Sequence, residues 1–136
     1  MPRSIALTVL LSLLAAPLGG QRPLPALPDS TGWGVHVLTA TQDRSGAVWV
    51  GTYGHGIFRL PLDSTRWQPI HSIRGDSTSI SWDFVNALAF GPAGQVWYGT
   101  VGNGWGVSRD GGRTWRNWTL RELGPEWQYV VPDGIV

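Results

Sequence analysis

Cysteine is absent from all 136 residues, so no disulfide braces the fold and no thiolate metal site exists. Lysine is absent too, and the ten basic residues, all arginine, stand against nine acidic ones. From Gln21 onward nine arginines meet those nine acids, and a balance near zero recommends neither nucleic acid nor an acidic membrane as partner. No apolar run reaches the roughly 20 residues that cross a bilayer. His36, His55 and His71 recur at no spacing with a carboxylate that would suggest a metal, and the chain has no G-x-S-x-G, H-E-x-x-H or phosphate-binding loop. No catalytic residue, metal or cofactor is therefore expected. Helical periodicity is missing beyond the first twenty residues. What abounds is nine tryptophans and nineteen glycines, the composition of short strands joined by tight turns, and the expected class is all-β.

The first twenty residues stand apart. Arg3 precedes an apolar run from Ile5 to Ala16, closed by Pro17, Gly19 and Gly20, the layout of a secretory signal peptide. Cleavage after Ala16 or after Gly20 fits, and no cysteine follows that would carry a lipid anchor. The protein is expected to be exported, to a periplasmic or extracellular place, without a stable membrane anchor in this segment. Pro23, Pro25 and Pro28 then make residues 21–34 an extended, poorly ordered arm.

A repeat organises the rest. The stretch from Val37 to Gly56 overlies that from Val85 to Gly104 at a constant offset of 48, pairing Gly46 with Gly94, Trp49 with Trp97, and Gly51, Thr52, Gly54 and Gly56 with Gly99, Thr100, Gly102 and Gly104. Each copy reads as four strands. The first holds Val37 to Gln42, Ala47 to Thr52, Ile57 to Leu60 and Arg66 to Ile70; the second holds Val85 to Phe90, Gln95 to Thr100, Trp105 to Arg109 and Thr114 to Leu120. Residues 35–74 and 75–122 are the two units, and 123–136 reads as the approach to a third.

These repeats resemble the two-component regulator propeller family, whose blades run V-x-x-I-x-x-D-x-x-G-x-L-W-V-G-T before a glycine-rich turn. The matching residues are Val37, Asp43, Gly46, Trp49, Val50, Gly51 and Thr52, then Val85, Gly94, Trp97, Gly99 and Thr100. Gly91 stands where the first copy has Asp43, so a turn hydrogen bond is expected to be missing there. The resemblance implies two four-stranded antiparallel β-propeller blades after a signal peptide. Closed propellers take at least four blades, so the ring is incomplete and the chain is expected to be the N-terminal part of a longer protein, or to close a ring by self-association. Ser108, Asp110, Gly112, Thr114 and Trp115 also match the Asp-box S-x-D-x-G-x-T-W, similar to the motif of sialidases, xyloglucan-degrading glycosidases, sortilin-type receptors and photosystem assembly factors. Its expected work is conformational, with Asp110 bonding its own turn and Trp115 packing inward.

Four antiparallel strands put the second-to-third-strand loops and the crossing between repeats at one end of each blade. Tyr53, His55, Asn103 and Trp105 are the ligand-binding candidates there, each also readable as a turn or packing residue. Trp49, Trp97 and Trp115 read as core between blades, while Trp33, Trp82 and Trp105 are less constrained by pattern. Phe58-Arg59-Leu60-Pro61 resembles the F-R-I-P of sialidases, but it falls on a third strand and not on the innermost one. The expected function is a non-catalytic extracytoplasmic scaffold for ligand sensing or protein interaction, which the resemblance extends to the start of a periplasmic sensor region of a two-component signalling protein, with a small molecule, glycan or protein as partner. The rival is the N-terminal part of a secreted Asp-box glycoside hydrolase, sialidase-like or xyloglucanase-like.

Overall fold

The computed structural model of the chain describes residues 22–127. The expected signal segment and most of the expected start of a third repeat lie outside the described residues. Among the described residues eight strands form two four-stranded antiparallel sheets, each in sequence order. Sheet I holds β1 (Val37–Gln42), β2 (Val48–Thr52), β3 (Ile57–Leu60) and β4 (Gln68–Ile70). Sheet II holds β5 (Val85–Phe90), β6 (Val96–Thr100), β7 (Trp105–Ser108) and β8 (Arg116–Trp118). The two share one register: Val37 faces Thr52 and Val85 faces Thr100, and the same irregularity follows, between Val37 and Thr39 in one and between Val85 and Ala87 in the other. Among the described residues helix is confined to one turn, α1 (Leu120–Leu123), and a 3-10 turn at Pro125–Trp127.

The last strand of each sheet is shorter than the sequence suggests. Ser64 Oγ accepts from the Arg66 N–H and holds the approach to β4 in a turn. After Trp118, the Glu122 carboxylate accepts from the Thr119 N–H at 2.7 Å and its hydroxyl at 2.6 Å. That reach-back bends residues 119–123 into helix where strand was expected to run on to Leu120.

Alternation along each strand assigns two faces per sheet. Ala47, Trp49 and Ile57 of sheet I meet Val85, Val96 and Tyr98 of sheet II, and Ile80 and Trp115 complete this inter-sheet core. Trp49 is 1% exposed, and its indole N–H donates to Asp43 Oδ2 at 2.8 Å. Burying so large a ring stabilises only because that N–H has a partner. Its counterpart Trp97 is not in this core. Trp97 lies on the other face of sheet II, half-buried in a cluster with Trp105 and Trp118 whose ring centroids are 4.5 to 6.5 Å apart. Equal sequence position thus gives unequal burial, because sheet II covers Trp49 and no described element does the same for Trp97.

The opposite face of sheet I carries a second core of Val50, Phe58, Leu60 and Trp67, with Leu27 and Val35 packed on it. The proline-rich arm carries no helix or strand, and where a poorly ordered arm was expected it is docked. Trp67 Nε1 donates to Pro25 O at 2.9 Å, and the Arg22 guanidinium donates to the carbonyls of Pro61 and Leu62.

The expected loss at Gly91 is repaired. In the first repeat Asp43 Oδ1 accepts from the Ser45 N–H; in the second, Gln95 Oε1 accepts from the equivalent Ala93 N–H at 3.0 Å. A Cβ added at Gly91 would run into that Gln95 amide, so the side chain that braces the turn comes from the far side of the hairpin.

Candidate functional site

The motif Gly-Thr-x-Gly-x-Gly builds the same loop twice. Thr52 N–H and Oγ1 donate to Gly56 O, and Thr100 N–H and Oγ1 donate to Gly104 O. The threonine hydroxyls accept in turn from the His55 and Asn103 N–H groups. Gly56 and Gly104 sit at φ 68° and 73°, and a Cβ there would overlap the carbonyls of Ile70 and Trp118. Only glycine fits such a close approach in a left-handed conformation.

The crossing between the repeats is stitched to these loops. Asp83 O accepts from the Gly54 and Gly56 N–H groups, and Asp83 Oδ1 accepts from Ser72 N–H at 2.7 Å. Tyr53, 55% exposed, bridges to Phe84 by backbone and meets its ring edge-on at 4.4 Å. Phe84 stacks on Trp82 at 5.7 Å. On the side of sheet II, Ser81 Oγ donates to Asn103 O, and Asn103 Nδ2 donates to Ser81 O at 3.0 Å.

A buried hydroxyl ties this network together. Tyr98, fully buried, accepts from the Ser81 N–H at 2.6 Å and donates to Asn117 Oδ1 at 2.5 Å. Asn117 Nδ2 donates to Ser79 O at 2.7 Å and Ser77 O at 3.3 Å. Burial pushes the phenol up to about 12, against the pull of the Ser81 bonds, so it stays neutral and keeps its proton for Asn117.

Between the crossing, the Asn103 loop, the end of β8 and α1 lies a cleft of about 350 Å³, lined by Ser72, Arg74, Asp76, Ser79, Ser81, Asn103, Asn117, Thr119 and Glu122, among others. Its carboxylates are charged at neutral pH. The Thr78 hydroxyl and N–H hold Asp76 below its usual value, and the Thr119 hydroxyl and N–H do so for Glu122. Arg74 makes no hydrogen bond or ion pair among the described residues. The lining offers hydroxyls, two amides, one cation and two anions, a surface for hydrogen-bonding a polar ligand. None of its lining residues is a histidine that would activate one of the serines.

Of the four expected binding residues, Tyr53, His55 and Asn103 lie at this end, and only Asn103 lines the cleft. Trp105 does not join them. It opens β7 and stacks at 4.5 Å on Trp118, on the sheet face, because the loop ends at Gly104. Ser81, Tyr98 and Asn117 are not among the expected binding residues.

The turn from Ser108 to Trp115 sits at the opposite end of sheet II. Asp110 Oδ1 accepts from Ser108 Oγ and from the N–H groups of Arg113 and Thr114, while Oδ2 accepts from Thr114 Oγ1 at 2.6 Å. The Thr114 hydroxyl first, then its N–H and Ser108, hold this carboxyl at about 2. Gly112 lies against the Trp49 ring, and Trp115 is buried edge-on to Tyr98 at 5.1 Å. Among the described residues no group of histidine, cysteine, aspartate or glutamate side chains is placed to hold a metal ion, and no helix is long and apolar enough to cross a membrane. No protein-family model matches the chain, and no curated protein matches it.

Proposed function

We propose that the two sheets are consecutive β-propeller blades of the two-component regulator type, following an export signal, and that they form a non-catalytic extracytoplasmic scaffold for ligand sensing or protein interaction. Ligand is taken at the loop end, in the cleft beside Asn103. The observation that carries this is the Asn117–Tyr98–Ser81–Asn103 network, which fixes an open polar cleft in place before any ligand arrives. The shared register and the unlike-face packing of the sheets support the blade reading.

The hydrolase reading asks a carboxyl to hold a proton near neutral pH. Asp110, its motif's carboxylate, is held at about 2 and is spent on its own turn. Asp110 is therefore a turn residue and does not act as that general acid.

Ligand-observed and protein-observed NMR on the full chain, against a mixed library of small polar molecules, tests the reading. Binders are expected to shift the Asn103 side-chain amide and the backbone of residues 72–82. Binders that shift only the Asp43, Gly91 and Asp110 turns would place function at the other end and refute it. Mass spectrometry of exported material is expected to show a terminus after Ala16 or Gly20.

A further inference from the structure

The packing of the two sheets is directional. Each sheet has a tryptophan face and a valine face. On sheet I the first is Trp49, Ile57 and Ile70, and on sheet II the same positions are Trp97, Trp105 and Trp118. The second is Val48 and Val50 on sheet I, and Val96 and Tyr98 on sheet II. The inter-sheet core joins the tryptophan face of one to the valine face of the other. Among the described residues one face of each kind is left without a sheet against it, and by the repeat these two are complementary.

The leftover valine face is occupied by the arm, though only in part. Val85 is 0% exposed against sheet I, whereas its counterpart Val37 is 48% exposed beside the arm. The arm forms no strand and adds no backbone ladder, and Pro23, Pro25 and Pro28 have no N–H with which to build one. Its attachment is Leu27 and Val35 on the core, the Trp67 indole bond to Pro25 O, and the Arg22 contacts. The leftover tryptophan face carries three half-buried indoles, with the Arg116 guanidinium 4.8 Å over Trp118. Tryptophan and arginine are the residues most enriched at the energetic centres of protein interfaces.

We propose that residues 22–35 are a displaceable cap over a docking face, and that the occupant they exclude is the Trp97–Trp105–Trp118 face of a second copy of this chain. The copies then stack head to tail in the sense that sheet II already stacks on sheet I. The contact joins two different surfaces, so it propagates or closes into a ring and does not stop at a symmetric dimer. The inference rests on the packing of the sheets and is independent of the ligand reading.

Sedimentation velocity on the full chain tests it. Leu27→Glu puts a charge under the arm and is expected to tighten self-association by roughly ten-fold or more over the parent protein. Adding Trp105→Ser and Trp118→Ser should abolish that gain, and an excess of a synthetic peptide spanning residues 22–35 should reverse it. If Leu27→Glu unfolds the chain, Arg22→Ala, which truncates only an exposed side chain, serves in its place with the same expected direction. Self-association that is unchanged when the arm is loosened, or that ignores the tryptophan substitutions, overturns the proposal.

Discussion

Tyr98→Phe removes one oxygen atom from the centre of the loop-end network. The ring stays, edge-on to Trp115 at 5.1 Å, so no cavity opens and the cost is that of the lost hydrogen bonds. The Ser81 N–H and Asn117 Oδ1, now 2.6 and 2.5 Å from the hydroxyl, both lose this partner beside the cleft. An orphaned buried group costs about 1 to 3 kcal/mol, and water entering from the cleft relieves part of it, so the expected loss is about 2 to 4 kcal/mol in urea unfolding, with an unchanged slope. A second reading comes from pH. The folded phenol titrates at about 12 and an unfolded one near 10. A group whose pKa is raised by folding contributes in full below the unfolded value, and the contribution fades as pH climbs from 10 towards 12. Two pH units correspond to about 2 to 3 kcal/mol of alkaline destabilisation in the parent protein, which Tyr98→Phe should not show. Hydrogen exchange at Ser79 to Ser81 should quicken in the variant while β2 and β6 stay protected. A variant within about 0.5 kcal/mol of the parent, or one that keeps the full alkaline loss, would refute the role given to this hydroxyl.

Asp110→Ala should lower the melting temperature at pH 7. Folding depresses the Asp110 pKa from 3.8 to about 2, so its stabilisation is complete above about pH 4 and fades as pH falls through 2, and melting of variant and parent should converge there. Gly104→Ala should cost about 2 kcal/mol or more, because a Cβ meets the Trp118 carbonyl at φ 73°, whereas Gly94→Ala, equally left-handed but with nothing within 4 Å, should cost about 1 kcal/mol. Equal melting of these two variants would show that the close approach at Gly104 is unimportant.

Strands β1, β3 and β5 begin and end where the repeat places them, because short apolar-rich strands set off by glycine-containing turns leave little choice of register. The loops at Gly56 and Gly104 were legible for the same reason. The ends of β4 and β8 were not, since a single side chain decides each: Ser64 Oγ in one and the Glu122 carboxylate in the other. Likewise, Gln95 takes over the turn bond expected to vanish at Gly91, a substitution across a hairpin that no alignment of the repeats reveals. The candidate cleft was half legible. Asn103 stands out in a repeated loop, but its partners Ser81, Tyr98 and Asn117 are scattered through the sequence, and only the folded crossing brings them together. The fates of Trp49 and Trp97 could not be told apart by position, because what differs is whether a neighbouring sheet covers them.

The sequential strand order of each sheet bears on how the chain folds. Within each sheet, every strand pairing among the described residues lies between consecutive strands, so each sheet closes through short loops and can form early and quickly as its residues become available. Sheet I on its own, however, would leave Trp49 and Ile57 in water. The long-range step is the docking of Val85, Val96 and Tyr98 onto them, and it couples two locally formed units into one cooperative transition. Substitutions within a hairpin turn should therefore act mainly on the formation of one sheet. Substitutions at Trp49 or Val85 should instead separate the melting of sheet I from that of sheet II, turning a single unfolding step into two.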